Sequence, residues 1–413
     1  MSPAKPQPIM PSPGAAQRAR VDAQFELLRR AASGGDRLTS HKDLEVRWSP
    51  MAQWQGDPAA WRDLLPRAIE PNVFLEPGFA FPAANNLGAS DLGVLSVYDG
   101  SKLAGLLPGR VEGISNGRAV PMFVAWTHPF APMSSPLLDR DMAADAVSAL
   151  IAAMSALPGG PKAALFPYLP ETSVAARLIA LDAATKGQAV TRLSIHARAA
   201  LLRIDDEPLS MVSPRKRKEL GRQRRRLAET GHLEHIVSSE PRDIRAAVAD
   251  FIALEERGWK GRSGGAAART PAAEQFMTEA VVALSFERKV RIDRLRFDDR
   301  TIAATITLYS GDYAWFWKIA YEEEFARFSP GVQIALDLTD VLEADRSLAQ
   351  VDSCAVADHP MIDHLWAGRI NMADWLVPLD SPASFAVAAA SERARRAALA
   401  PIRALRRRLK RRS

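Results

Sequence analysis

The sequence predicts a mixed α/β protein, helices packed on a mixed sheet, in two successive units of one element order. Three observations lead to this. Residues 288–344 read as three short strands joined by tight turns and followed by a helix. That helix opens on Ser329-Pro330-Gly331, a start suited to anion binding. The same succession of elements is legible once earlier, from Leu44 onward.

Taken in order, residues 1–40 form a Pro-, Ala- and Ser-rich lead, expected to be disordered apart from a helical patch at 19–32. The first unit, 41–204, reads as strand 44–48, helices 58–69 and 77–87, and strands 92–98, 102–111 and 119–125. Helix 142–157, strand 163–166, helix 171–186 and a strand pair near 190–204 complete it. The turn Asp99-Gly100 joins two of these strands, as Asp298-Asp299 does downstream. The second unit, 205–380, begins with a basic linker helix over 213–231, started by Ser213-Pro214 and stopped near Gly231. Strand 233–237, helices 241–259 and 271–286, and the strands 289–297, 301–309 and 313–321 follow. Helix 330–346, strand 349–354, helix 360–366 and strand 372–377 close the unit, and 381–413 is a basic helical tail.

A chain of 413 residues, 47% apolar and 25% charged, can build two or three full cores. A single cysteine, Cys354, excludes an internal disulfide and a thiolate zinc cluster, and fits a reducing compartment, most simply the cytoplasm. The first 20 residues lack the apolar segment of a signal peptide, and the longest apolar run, 146–157, is too short to span a bilayer. The net charge of +6 is concentrated at 215–226 and 393–412, which points to local anionic contacts.

At Ser329-Pro330-Gly331, Ser329 can cap, Pro330 suits the first turn, and Gly331 leaves backbone N–H groups uncovered at the positive end of the helix dipole. With the strands before it, this suggests a nucleotide-bearing co-substrate held by backbone. The plain alternative is a turn that meets only water.

The element order of residues 190–380 resembles a GNAT acyltransferase domain. The wording Leu254-Glu-Glu-Arg-Gly-Trp259 and Phe325-Ala-Arg-Phe-Ser-Pro-Gly331 is similar to the cellulose-biosynthesis (CelD-type) branch. Two copies of the order look like the tandem arrangement shared with FemABX-like transferases. The resemblance implies two tandem GNAT-like domains, the second binding acetyl-CoA or another acyl-CoA through Arg327, Ser329, Gly331, Val332 and Gln333. Of the usual phosphate-loop pattern only Arg327 and Gly331 are echoed. The matching loop of the first unit, residues 126–132, is Pro-rich and aromatic and would block a phosphate; that unit then shapes the acceptor site or supports the fold.

Direct acyl transfer needs a base for the acceptor and a proton for the leaving thiolate. Glu255 and Glu256 are candidate bases late in a helix; neighbours cannot share a face, and the alternative is that both are solvated. His359 is the best pH-matched proton carrier, with capping of the helix at Pro360 as its alternative role. Asp352 and Asp363 are candidate substrate contacts on the elements expected to flank the thioester. Trp259 could wall an acceptor pocket. Trp315, Trp317 and Tyr321 alternate along one strand and would share a face, either as core or as a platform for a flat acceptor such as a sugar. No metal site is expected, since His359 and His364 are five apart.

The reading is an acyltransferase acting on an amine or hydroxyl, with a cell-envelope or exopolysaccharide precursor as the acceptor the resemblance implies. It is expected in the cytoplasm, peripheral at the inner membrane face. There Ile402, Leu405 and Leu409 among basic residues suit an anionic membrane surface, with plain solvation as the alternative. Nucleic acid is not an expected partner, except tRNA if the enzyme is a FemABX-like aminoacyl-tRNA-dependent transferase. A membrane-associated scaffold without activity is the non-enzymatic alternative.

Overall fold

The computed structural model describes residues 44–88, 91–203, 209, 211–257 and 270–412, with side chains as far as Pro401. The expected helical patch at 19–32 and Trp259 lie outside the described residues.

The first half runs β1 (Glu45–Pro50), short helices α1 (Met51–Gly56) and α2 (Ala59–Leu64), α3 (Pro77–Asn86), β2 (Gly93–Asp99), β3 (Lys102–Glu112) and β4 (Met122–Ala125). It continues with β5 (Leu137–Leu138), α4 (Ala143–Ser155), β6 (Ala163–Pro170), α5 (Val174–Thr185) and β7 (Thr191–Leu202). The second half has α6 (Pro214–Ala228), β8 (Leu233–Ser238), α7 (Pro241–Arg257), α8 (Pro271–Phe286), β9 (Val290–Phe297), β10 (Arg300–Ser310) and β11 (Tyr313–Tyr321). After these come α9 (Pro330–Ala344), β12 (Gln350–Asp352), β13 (Gly368–Pro378) and α10 (Pro382–Arg412).

All thirteen strands form one sheet, ordered β1-β2-β3-β4-β6-β13-β7-β12-β11-β10-β9-β8, with β5 paired to β3. The order reads alike from both edges: an antiparallel meander, a parallel pair, then a strand donated by the other half. β4 runs parallel to β6, and β11 parallel to β12. β7 leaves the first half to pair with β12, and β13 returns to pair with β6, the two lying antiparallel at the centre. Each half therefore completes the other's sheet.

The core is continuous as well. The α3 ring Phe79 packs edge-on against Phe276 of α8 at 5.3 Å, and Phe74 meets Trp315 of β11 at 5.9 Å. Both Phe79 and Phe276 are wholly buried, so truncating either to Ala should cost about 3–5 kcal/mol. Glu76 adds a buried polar tie across the halves: Lys289 Nζ lies 2.7 Å and Ser310 Oγ 2.6 Å from its carboxylate.

Four expectations are corrected. The helix over 58–69 breaks into α2 and a 3-10 turn, Leu65–Arg67, because Pro66 supplies no N–H. The strand pair near 190–204 is the single strand β7, whose neighbours come from the far end of the chain. The helix over 360–366 is one 3-10 turn, Ile362–His364. The basic tail is one helix from Pro382 with Pro401 inside it, and its first part is built into the fold. Phe385, Ala388 and Ala389 pack on Val124, Leu165 and Leu376, and buried Glu392 takes Arg118 at 2.6 Å, Arg395 at 2.8 Å and Arg396 at 2.7 Å. Among the described residues, no helix is long and apolar enough to cross a membrane.

Candidate active site

The parallel pair β11–β12 holds for three residues only, Tyr313–Trp315 against Gln350–Asp352. β11 runs on to Tyr321, while β12 turns away at Cys354, held in the left-handed region at φ 53°. The ladder between β11 and β12 thus stops inside the sheet, and the two strands diverge beyond Trp315 and Asp352.

A bulge re-aims the strand at the same place. Ile306 pairs with Lys318 and Thr307 with Phe316, so Trp317 is an extra residue on β11. One added residue inverts the inward–outward alternation. Trp315 and Trp317 enter the core under α7 and α8, whereas Tyr321 joins Leu227, Ile302 and Ile334 on the opposite face. The expected shared face of Trp315, Trp317 and Tyr321 is therefore wrong beyond Trp317. Trp317 itself is buried, its Nε1–H donating to Phe130 O at 2.8 Å, so it is a packing residue and not an open platform.

The start of α9 stands beside the end of β11, Gly331 lying against Tyr321. Ser329 sits in the left-handed region, φ 52° and ψ 47°, and its hydroxyl makes no cap, contrary to the expected Ser cap. Its carbonyl instead accepts from the amides of Val332 at 3.0 Å and Gln333 at 3.1 Å. Pro330 carries no N–H, which leaves the Gly331 amide as the donor of the first turn outside this pattern. Gly331 is buried, and a Cβ there would lie 3.0 Å from Cδ1 of Tyr321, so any larger residue would press on the ring. Gln333 is buried and its Nε2 donates to Phe328 O at 2.6 Å, latching the preceding 3-10 turn. Arg327 is exposed and stacks over Phe328 at 4.6 Å.

The basic helix α6 lies antiparallel along α9. Arg224 pairs with Asp337 at 2.7 Å, and Leu227 packs with Ile334, so the exposed Arg225 and Arg226 fall toward the start of α9.

The first half also reaches β11 and β12. The loop after β4 inserts Phe130 and Ala131 among Trp317, Phe276 and Phe79. Lys318 Nζ sits 4.8 Å above the Phe130 ring. From β7, Arg198 donates to Pro132 O at 2.8 Å and to Asp352 Oδ2 at 3.2 Å, and Asp352 Oδ1 accepts the Cys354 amide at 2.8 Å. Arg198 and Asp352 are both almost inaccessible, so each charge is stable only through the other. Burial, reinforced by Asp352, pushes the Cys354 thiol well above its usual value, so it stays protonated and is no thiolate nucleophile at neutral pH. His128 lies in the same loop between Phe79, Trp126, Phe130 and Phe276, with neither ring nitrogen hydrogen-bonded, and burial lowers its pKa to about 3.

Of the sequence candidates, Ser329, Gly331, Val332, Gln333 and Tyr321 gather at the start of α9, with Arg327 on the turn before it. Glu255 is buried on α7 and Glu256 is exposed. Asp352 anchors Arg198. His359 and Asp363 brace the loop after β12: Asp363 Oδ2 accepts the His359 amide at 2.7 Å, and His359 Nδ1 accepts from Met361 at 3.3 Å and Ile362 at 3.4 Å. His359 thus braces this turn in place of the helix expected at Pro360, and a neutral ring used this way carries its proton on Nε2. Sequence reasoning missed Arg198, Lys318 and Phe130. Arg198 alone left a trace, as a lone charge in the small and apolar run 197–202.

Residues 214–359 match the family model described as acetyltransferase (GNAT) domain. No curated protein sequence matches the chain. Among solved structures, the chain is similar to a C-terminal domain (DUF2156) from Agrobacterium fabrum that carries the provisional name lysylphosphatidylglycerol synthetase. The identity is 11%, over 83% of this chain and 96% of that one, with a TM-score of 0.50. FemX aligns at 9% identity over 80% of this chain and 96% of its own, with a TM-score of 0.49. A tandem GNAT protein from the clavulanic acid biosynthesis pathway aligns at 13% identity over 82% and 99%, with a TM-score of 0.38. The fold is two GNAT-like units in tandem, and the second contains the residues that match the GNAT domain model.

Proposed function

We propose that the chain moves an acyl group from an acyl-CoA to an amine or hydroxyl at the divergence of β11 and β12. One observation carries this: a strand edge opened inside the sheet beside the N-terminus of α9. The open edge of β11 suits the amide-bearing arm of the donor, and the dipole of α9 with the Gly331 amide and Arg327 suits its phosphates. Ser329, Val332 and Gln333 shape that turn. In the transfer, the acceptor's lone pair attacks the thioester carbon, the acceptor loses a proton, and the C–S bond breaks to a thiolate that takes one up. Glu255, buried on the helix facing β11, is the base we assign. His359 can donate from Nε2 but has its lone pair engaged. An exopolysaccharide or cell-envelope saccharide as acceptor is the narrower proposal, and it rests on the CelD-like wording of 254–259 and 325–331.

A second reading is favoured by one feature. α9 offers a single first-turn amide, less than a pyrophosphate invites, while the basic face of α6 runs alongside. An aminoacyl-tRNA donor would use that face. The test is thiol release from acetyl-CoA and longer acyl-CoAs over a panel of amines, amino sugars and alcohols, with aminoacyl-tRNA in parallel. Turnover of an acyl-CoA, lowered roughly 100-fold in Glu255→Gln, supports the first reading. Transfer from aminoacyl-tRNA alone would replace it with the second.

A further inference from the structure

A cavity of about 480 Å³ lies between the end of α7 and the β9–β10 hairpin, lined by Asp250, Arg257, Arg296, Asp299, Arg300 and Thr301. This size is ordinary for a small-molecule site. It opens on the α7 side of the sheet, next to the end of β11, where Glu322 follows Tyr321. Glu322 is nine-tenths buried and organises two of the arginines: Arg300 lies 2.9 Å from Oε1 and Arg257 3.5 Å from Oε2. One carboxylate thus holds two guanidinium groups side by side at the cavity wall. Arg296 completes the set, held by the Asp299 carbonyl at 3.1 Å.

The nearby carboxylates compensate this charge only in part. Asp250 is paired with Arg294 outside the cavity; Glu324, 2.9 Å from the second terminal nitrogen of Arg300, is exposed and can give way to an incoming anion; and the Asp299 carboxylate stands in solvent, no nearer than 4.0 Å to Arg296. Three guanidinium groups, a third to a half open to solvent, therefore converge on the space. Planar forks of this kind suit an oxyanion with several acceptor oxygens better than a single carboxylate.

We propose that this cavity binds the phosphate of a phosphate monoester, through Arg257, Arg296 and Arg300. The phosphate has two chemical sources, a 3′-phosphate on the nucleotide of the donor or a phosphorylated acceptor. Only this last identification rests on acyl transfer; phosphate binding itself does not.

Calorimetric titration of the full chain with inorganic phosphate and with glucosamine 6-phosphate tests the site. Saturable binding that weakens about tenfold in Arg296→Ala, and further in Arg296→Ala/Arg300→Ala, is expected. Circular dichroism and melting curves confirm folding, and Arg296→Lys, which keeps the charge, should retain part of the affinity. A preference for CoA over 3′-dephospho-CoA that disappears in the double variant assigns the donor. Loss of glucosamine 6-phosphate binding with CoA binding intact assigns the acceptor. Absence of saturable phosphate-monoester binding, or equal binding by wild type and a folded double variant, overturns the proposal.

Discussion

His128 should make the protein lose stability in mild acid, and the loss can be worked from its surroundings. Four aromatic rings enclose the imidazole, with centroids 5.1 to 6.2 Å away, and no polar group meets either nitrogen. Burial therefore disfavours the charged form and sets the folded pKa at about 3, against about 6.5 in the unfolded chain. Between these values the unfolded chain binds the extra proton, so stability falls as pH falls from about 6.5 and levels off below about 3. From pH 7 to pH 5 this one group should remove roughly 2 kcal/mol, from 1.36 kcal/mol per pH unit below the unfolded pKa. Urea unfolding at both pH values, for wild type and His128→Gln, isolates the contribution as a difference of differences. The variant should be weaker overall yet flatter with pH by about 2 kcal/mol. Equal pH dependence in both proteins would mean that the ring is solvated or paired, and that the loop after β4 does not seal against Phe276 and Trp317.

Gly331→Ala places a methyl group 3.0 Å from the Tyr321 ring and should cost about 1–3 kcal/mol of stability in chemical denaturation. Adding Tyr321→Leu should return part of it, which an unrelated cause would not allow. For the carboxyl-terminal helix we propose anionic-membrane contact by residues 402–413, at about 1 kcal/mol per basic residue near the surface. Deleting them should abolish salt-sensitive sedimentation with phosphatidylglycerol vesicles and leave the melting temperature unchanged, because Phe385, Ala388, Ala389 and Glu392 keep their packing and ion pairs. Equal sedimentation of both proteins would mean that the segment is solvated charge.

What could be read from the sequence followed the range of the interactions. The meander β9–β10–β11 was legible because alternation and its Asp- and Gly-bearing turns are local signals. The start of α9 at Pro330 was legible for the same reason, but its cap was not: Ser329 ends the preceding 3-10 turn in the left-handed region, and its hydroxyl makes no cap there. The exchange of β7 and β13 could not be seen, since partners such as Gly368 and Ala200 are far apart in sequence and leave no local mark. The Trp317 bulge is a property of pairing between strands, so the period-two count failed only there. Residues 360–366 looked helical, yet His359 and Asp363 brace the backbone and Trp366 is drawn to Thr339 at 2.9 Å, leaving room for one turn. The sites built across the halves, such as Arg198 with Asp352, share this non-local origin.

The central claim, that a nucleotide-bearing acyl donor seats its phosphates at the start of α9, is tested most directly by titrating CoA into the wild type and Val332→Glu. Val332 lies in the first turn and is only partly buried, and a carboxylate there favours the helix dipole, so the fold should keep its melting temperature. The same charge would stand against the donor's phosphates. Saturable CoA binding, weakened at least tenfold in the folded variant, is the result expected, about 1.4 kcal/mol or more. Equal CoA affinity in the two proteins, or no saturable binding of CoA or acetyl-CoA by the wild type, would contradict it.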